Sequence, residues 1–373
     1  MSFQANMSLG TNDYFINDNI QDTIQQMKFF PDENINILGA VGWDTNVRLY
    51  QVQYQENPSS LGYNNGSCNI NANLAKCYSL QNPLLTFDFV PNSQTLFAAG
   101  ADGWIYQVDY EKGPSSRLGK HEKSCKEVIY VPELNCLISG GWDGNLFLWD
   151  PRNANSTPAM SYKFDHKIFT MSKSHNLLVV GMSEQMMAYF NLSKLNSNIF
   201  QPECLFVSHL KHQTRKVKCF PDGKGFVVGS IEGRCAVKNV NLNSSPVLDN
   251  NKNLQGQGDF AFRCHRVGGN NNADPVYVYS IHDIDFNNKY SSFITVGGDG
   301  QYCIWDKDTK AKYGERGGSD KTPLTAVAVH PKGEIFAFAS GYDWALGIKG
   351  MNNPSLSKPR IGLHYLKQNE RKK

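Results

Sequence analysis

An acidic residue in a tight turn returns seven times along the chain, and that repetition restricts the fold more than any single motif. The set is Asp44, Asp102, Asp143, Glu184, Glu232, Asp299 and Asp343, roughly 41 to 67 residues apart. An apolar run containing Gly precedes each member and a second alternating run follows it. Residues 137–150 show the unit most clearly, as Leu-Ile-Ser-Gly-Gly-Trp-Asp-Gly-Asn-Leu-Phe-Leu-Trp-Asp. Seven places after the acidic residue stands Asp109, Asp150, Asn191, Asn239 or Asp306 in five units, with Gln51 and Gly350 in the other two.

Within each unit, β-branched and aromatic residues cluster in short runs bounded by Gly, Asp, Asn and Pro, the pattern of strands and turns. Asp-Gly at 102–103, 143–144 and 299–300 predicts tight turns, because Gly accepts positive φ without a steric penalty. Four strands per unit with a closing Trp-Asp, as at Trp149-Asp150 and Trp305-Asp306, predict an all-β, seven-bladed WD-repeat β-propeller. One blade cannot cover its own faces, so residues 1–373 are expected to form one closed propeller, with the stretch around 10–20 supplying the last blade's outer strand. Two insertions interrupt the period. The first, 51–83, is rich in Asn, Ser and Gly and reads mostly as a mobile surface loop. The second, 241–276, has a patterned centre at 260–266 that reads as an outer strand, with Phe260, Phe262 and Cys264 on one face and Ala261, Arg263 and His265 on the other.

Composition narrows the function. A net charge of +3 leaves nucleic acid only a local patch to hold, and no apolar run is long enough for a membrane span. Nine Cys without C-x-x-C spacing fit reduced core thiols better than disulfides or a zinc site. No nucleophile elbow, phosphate loop or dinucleotide fingerprint is present, so the chain reads as a non-enzyme without cofactor or metal. A propeller hydrolase would need convergent carboxylates or a metal at one mouth, and the acidic residues are better explained as turn formers. His121, His166 and His212 each precede an acidic turn residue by about twenty positions, which predicts a His-to-carboxylate hydrogen bond in each of those blades. Cys264-His265 lacks a second pair to complete a metal site.

The candidate docking residues are aromatic and basic. Trp43 and Trp142 in Gly-Trp-Asp, with Trp104 and Trp344 near corresponding turns, are placed for a partner, although packing between blades explains each equally well. Basic clusters fall at Lys120, Lys123 and Lys126, at Lys211, His212, Arg215, Lys216 and Lys218, and in the short tail 367–373 with Lys367, Arg371, Lys372 and Lys373. Solvated faces explain such runs most often; together they offer a modest phosphate-binding patch, with RNA contact assigned to Lys211, Arg215, Lys216 and Lys218.

The segments 210–213, 225–234, 260–266, 286–308 and 340–344 resemble the WD-repeat family of nuclear-pore messenger-RNA export factors and mitotic-checkpoint proteins, with the last two closer to the exporters. The resemblance spans nearly the whole chain and is weakest in the fourth blade. It implies a scaffold that binds an acidic GLEBS-type segment of a phenylalanine-glycine nucleoporin on one propeller face and contacts RNA in that complex. It also implies residence in the nucleus and at the pore, with shuttling to the cytoplasm. The alternative it leaves open is a spindle-checkpoint scaffold recruiting kinases through the same face. By motif match, Arg234 and Arg263 would receive partner glutamates, with Trp142, Tyr342 and Trp344 on the same face. Guanidinium suits that task because it pairs with carboxylate bidentately.

Overall fold

The computed structural model describes residues 13–56, 68–153, 156–248, 252–269, 275–316, 321–351, 353 and 358–371. Seven four-stranded antiparallel sheets are arranged as blades around a central channel. Blades 1 to 6 run in chain order from inner to outer strand, beginning with Ile24–Phe29, Leu84–Phe89, Cys125–Val131, Ile168–Ser174, Thr214–Cys219 and Ile281–Asn287. Blade 7 takes Leu324–Val329, Ile335–Ser340 and Arg360–Tyr365 from one end of the chain and Asp13–Phe15 from the other, with Asp13 opposite His364. The closing strand therefore comes from the expected stretch. Core clusters lie between neighbouring blades; the cluster at the seam joins Ile24, Leu38 and Tyr50 of blade 1 to Ala326, Ala337 and Leu363 of blade 7. Covering one blade's face with the next is what a repeated sheet requires.

Every inner strand carries a bulge at its second residue. The ladder skips Gln25, Leu85, Lys126, Phe169, Arg215, His282 and Thr325 in turn. A bulge leaves its extra residue unpaired and re-aims that side chain. Here the bulges put one residue per blade at the same level of the channel.

The first insertion differs from expectation. Asn46–Glu56 and Cys68–Ser79 form a long antiparallel hairpin, Asn46 opposite Ser79 and Glu56 opposite Cys68 with one bulge after Leu49, so most of 51–83 is strand; its residues 57–67 lie outside the described set. The physical reason stands at Gln51. In four other blades, the residue at this place accepts a backbone N–H two positions on and turns the chain: Asp109 from Glu111, Asp150 from Arg152, Asn191 from Ser193 and Asp306 from Asp308. Gln is a methylene too long for that local turn, and the strand runs on. The extension braces the seam, with Tyr54 Oη donating to Glu334 Oε2 at 3.1 Å and Tyr14 Oη to Asn71 Oδ1 at 3.3 Å. In the second insertion Phe260–Arg263 is the outer strand of blade 5, as expected. The face alternation holds through Cys264, which packs in one cluster with Phe260 and Phe262, and ends at His265, which adopts φ +48° and turns into the core.

The His-to-carboxylate pairing is narrower than the spacing predicts. Only His121 of the three makes the bond: Trp149 Nε1 donates to Ser139 Oγ at 2.8 Å, Ser139 Oγ contacts His121 Nε2 at 2.7 Å, and His121 Nδ1 lies 3.1 Å from Asp143. Although burial acts to raise it, hydrogen bonds from His121 and Asn145 hold the Asp143 carboxyl far below its usual range. His166 and His212 stand 3.9 Å from Glu184 and Glu232, too far for hydrogen bonds. The second complete relay is Trp305, Thr295, His265 and Asp299, at 2.9, 2.8 and 2.9 Å. Both ring nitrogens of His265 are engaged there, which takes it away from any metal.

Candidate docking face

Antiparallel blades put two kinds of segment on one rim: the turns between second and third strands, and the connections from one blade's outer strand to the next blade's inner strand. Trp43, Trp142, Glu232, Asp299 and Trp344 lie in the former, and Lys211 and Lys123 in the latter. Arg234 opens the third strand of blade 5 and Arg263 ends its outer strand, so both reach the same rim.

The two arginines are direct cross-strand partners. Like charges placed opposite each other in a sheet repel, and the surroundings barely compensate. Arg234 Nε is 3.5 Å from Glu232 Oε2, beyond good hydrogen-bond geometry; both Arg234 Nε and Glu232 Oε1 are buried without a hydrogen-bond partner. Arg263 is exposed and makes no hydrogen bond or ion pair among the described residues. The site is thus a cationic pair with unfilled donors.

Apolar surface flanks it. Trp344 is 54% exposed, at φ +62°, and the loop after it leaves Leu346, Ile348 and Met351 uncovered. A small hairpin, Arg266–Gly268 with Val276–Val278, exposes Val267, Val276, Tyr277 and Val278 beside blade 5, and Ile231 adds to them. Trp142 is exposed, as is Trp43, whose indole N–H donates to Gln25 Oε1 at 3.3 Å. Exposed apolar side chains gathered on one face beside charged groups mark interaction sites. The hairpin and the blade-7 loop were not singled out from sequence; their signal was valines and Leu-Gly-Ile in connections that ought to be polar.

Three expectations change. Tyr342 is buried: its ring lies 5.6 Å from that of Trp344, its hydroxyl donates to Gly347 O, and its carbonyl accepts from Thr23 at 2.9 Å. It supports the Trp344 loop instead of facing a partner. The basic run at 211–218 is not one patch, since strand alternation and the bulge send its members to different places. Lys211 is exposed on the rim and Arg215 stands at the channel mouth. Lys216 is inside the channel, 3.2 Å from Glu127 of blade 3 and 3.4 Å from Asp283 of blade 6, and Lys218 is 2.7 Å from Asp285. Lys216 and Lys218 are therefore paired with carboxylates within the protein, and neither is a free phosphate-binding group. In the tail, Arg371 packs over the Tyr365 ring at 4.9 Å and donates to Leu366 O, so it is not a free basic group.

Sequence comparisons agree with this architecture. The WD domain, G-beta repeat profile matches residues 113–150. The Poly(A)+ RNA export protein of Schizosaccharomyces pombe is 32% identical over 94% of this chain and 89% of its own length. The mRNA export factor GLE2 of Chaetomium thermophilum is 30% identical over 92% and 87%. Mitotic checkpoint protein bub3 of Dictyostelium discoideum is 28% identical over 88% of each. With a seven-bladed fold and similarity running along almost its entire length, the chain belongs to the WD-repeat family of the mRNA export factors.

Proposed function

We propose that this protein is a non-enzymatic adaptor in mRNA export, acting in the nucleus and at the nuclear pore, with passage to the cytoplasm. It grips an acidic GLEBS-type segment of a phenylalanine-glycine nucleoporin on the rim that carries Arg234 and Arg263. The observation that carries this reading is the cross-strand arginine pair with unfilled donors. A pair of carboxylates from a partner relieves that repulsion and satisfies the donors through directional, charge-assisted hydrogen bonds. The flanking Trp142, Trp344, Leu346 and Ile348 offer apolar anchors for the same segment. RNA is contacted in that complex by exposed basic groups of the rim such as Lys211. The fungal export proteins, at 30–32% identity, favour export over recruitment of checkpoint kinases.

Calorimetric titration of the chain with a GLEBS-type peptide tests this. Submicromolar binding that falls in Arg234→Ala and Arg263→Ala, with unchanged circular dichroism, is expected. A folded wild type that does not bind removes the adaptor reading.

A further inference from the structure

The seven inner-strand bulges leave an unusual charge pattern at the channel mouth. Gln25, Leu85, Lys126, Phe169, Arg215 and His282 line a cavity of about 110 Å³ that also touches Trp142 of the docking rim. Of these bulged residues, two are cations, Lys126 and Arg215, and neither makes a hydrogen bond or ion pair among the described residues. Their neighbours do not satisfy them. Glu127 is committed to Lys216 and to the side-chain amide of Gln26, and Asp283 to Lys216 and the Val327 N–H. Asp343 and Asp283 attract Arg215 only at a distance, and Asp343 lies 3.4 Å from His282, whose ring burial keeps neutral down to a pKa of about 3. Lining cations thus outnumber lining carboxylates, Lys126, Arg215 and Lys216 against Glu127 and Asp283.

We infer that this mouth is a second acidic subsite, in which Lys126 and Arg215 together receive one carboxylate side chain from the segment bound at Arg234 and Arg263. The inference rests on the adaptor reading and deepens it. At about 30 Å³ per water, the cavity holds the equivalent of three or four waters, enough for one carboxylate group. A phosphodiester, held between sugars on both sides, does not enter such a space, whereas a glutamate reaches in from a chain lying across the rim. Trp142 connects the subsite to the docking face. A bulge that aims a side chain is a built feature of a sheet, and two cations at one mouth, whose nearest carboxylates Glu127 and Asp283 are already paired with Lys216, repel until a further anion arrives.

A titration signature follows from the surroundings. Burial brings the Lys126 ammonium down to about 8, helped by Lys216 and Arg215 and opposed by Glu127 and Asp283. A bound carboxylate raises that pKa, so affinity is full below pH 8 and falls as pH climbs above it, about tenfold between pH 7 and pH 9. Calorimetry with an N-acetylated, C-amidated GLEBS-type peptide at both pH values reads this without the peptide's own amine. Lys126→Gln and Arg215→Gln are expected to weaken binding roughly thirtyfold or more. Lys126→Arg is expected to bind like wild type at pH 7 and to lose the pH dependence, which a folding defect would not produce.

Peptide binding that needs Arg234, yet changes less than twofold in Lys126→Gln and Arg215→Gln and not at all with pH, overturns the subsite and leaves the adaptor reading standing. If wild type does not bind the peptide, the adaptor reading falls and the mouth is judged with glutarate in an Arg234→Ala, Arg263→Ala background. Slowed acylation of Lys126 by an N-hydroxysuccinimide ester, followed by mass spectrometry, supports a carboxylate site there; an unchanged rate overturns it.

Discussion

Replacing Asp13 by Asn removes one of two carboxylates that hold a buried imidazole where the two ends of the chain meet. His364 Nδ1 lies 2.6 Å from Asp13 of the closing strand, and His364 Nε2 lies 3.0 Å from Glu370. Tyr302 Oη reaches both Asp13 and His364, and Arg316 stands 3.8 Å from Asp13 Oδ2. Burial alone would lower the His364 pKa, but the two carboxylates outweigh it and raise the value; Glu370 is lowered by the same pairing despite its burial. Breaking a buried charged pair by removing one partner costs about 3–5 kcal/mol. At about 2.1 cal/mol/K per residue, the 373 residues unfold with an entropy near 0.8 kcal/mol/K, which converts that loss to a Tm fall of about 4–6 °C.

The loss has a defined pH dependence. Because folding raises the His364 pKa, its contribution is fully present below about pH 6.5 and disappears as pH rises through the folded value. Glu370 contributes above about pH 4.5 and loses its part as pH falls through its own lowered value. The difference between wild type and Asp13→Asn, read by calorimetric melting, is therefore largest near pH 6 and shrinks toward pH 9. A variant that melts within a degree of wild type at pH 6, or a gap that does not shrink in alkali, refutes the charged-clamp account.

Three further outcomes follow from the same structure. Ser139→Ala strands Trp149 Nε1 and His121 Nε2 in the core, each costing about 1–3 kcal/mol, and lowers the denaturation midpoint without altering the denaturant slope. Glu127→Ala leaves Lys216 buried with Asp283 alone and destabilises by about 3 kcal/mol in urea unfolding, whereas Glu127→Gln loses less because it still accepts from Lys216. Tyr54→Phe removes one hydrogen bond from the hairpin brace to Glu334, costing about 1 kcal/mol and speeding amide exchange in the hairpin more than in blades 3 to 5.

The sequence carried the repeat because each acidic turn residue does a local job that spacing reveals: Asp143 accepts from Asn145 and His121, and Asp299 from Gln301 and His265. Arg234 and Arg263 came from motif resemblance, and their cross-strand opposition became visible only with the strand register. The long hairpin had a readable signal, the absence of a turn-forming side chain at Gln51, which Asn and Gly farther along obscured. What stayed out of reach depends on non-local geometry. The basic run at 211–218 reads as one cluster in sequence, yet alternation and one bulge divide it between rim, mouth and channel. Tyr342 and Trp344 read as equivalent aromatics, but a positive φ at Trp344 turns one outward while the other anchors the loop. His265 stands 34 positions before its carboxylate, instead of about twenty, because a hairpin intervenes.

The central claim, that the arginine pair receives partner carboxylates, is tested most directly by a double-mutant cycle. Arg234→Ala is combined with Glu→Gln at each acidic position of a GLEBS-type peptide, and the four binding free energies of each cycle are measured by calorimetry. A coupling of about 2 kcal/mol or more at one glutamate is the expected result for a charge pair at a partly desolvated interface. Couplings below about 0.3 kcal/mol at every glutamate, with wild-type binding intact, would contradict the claim.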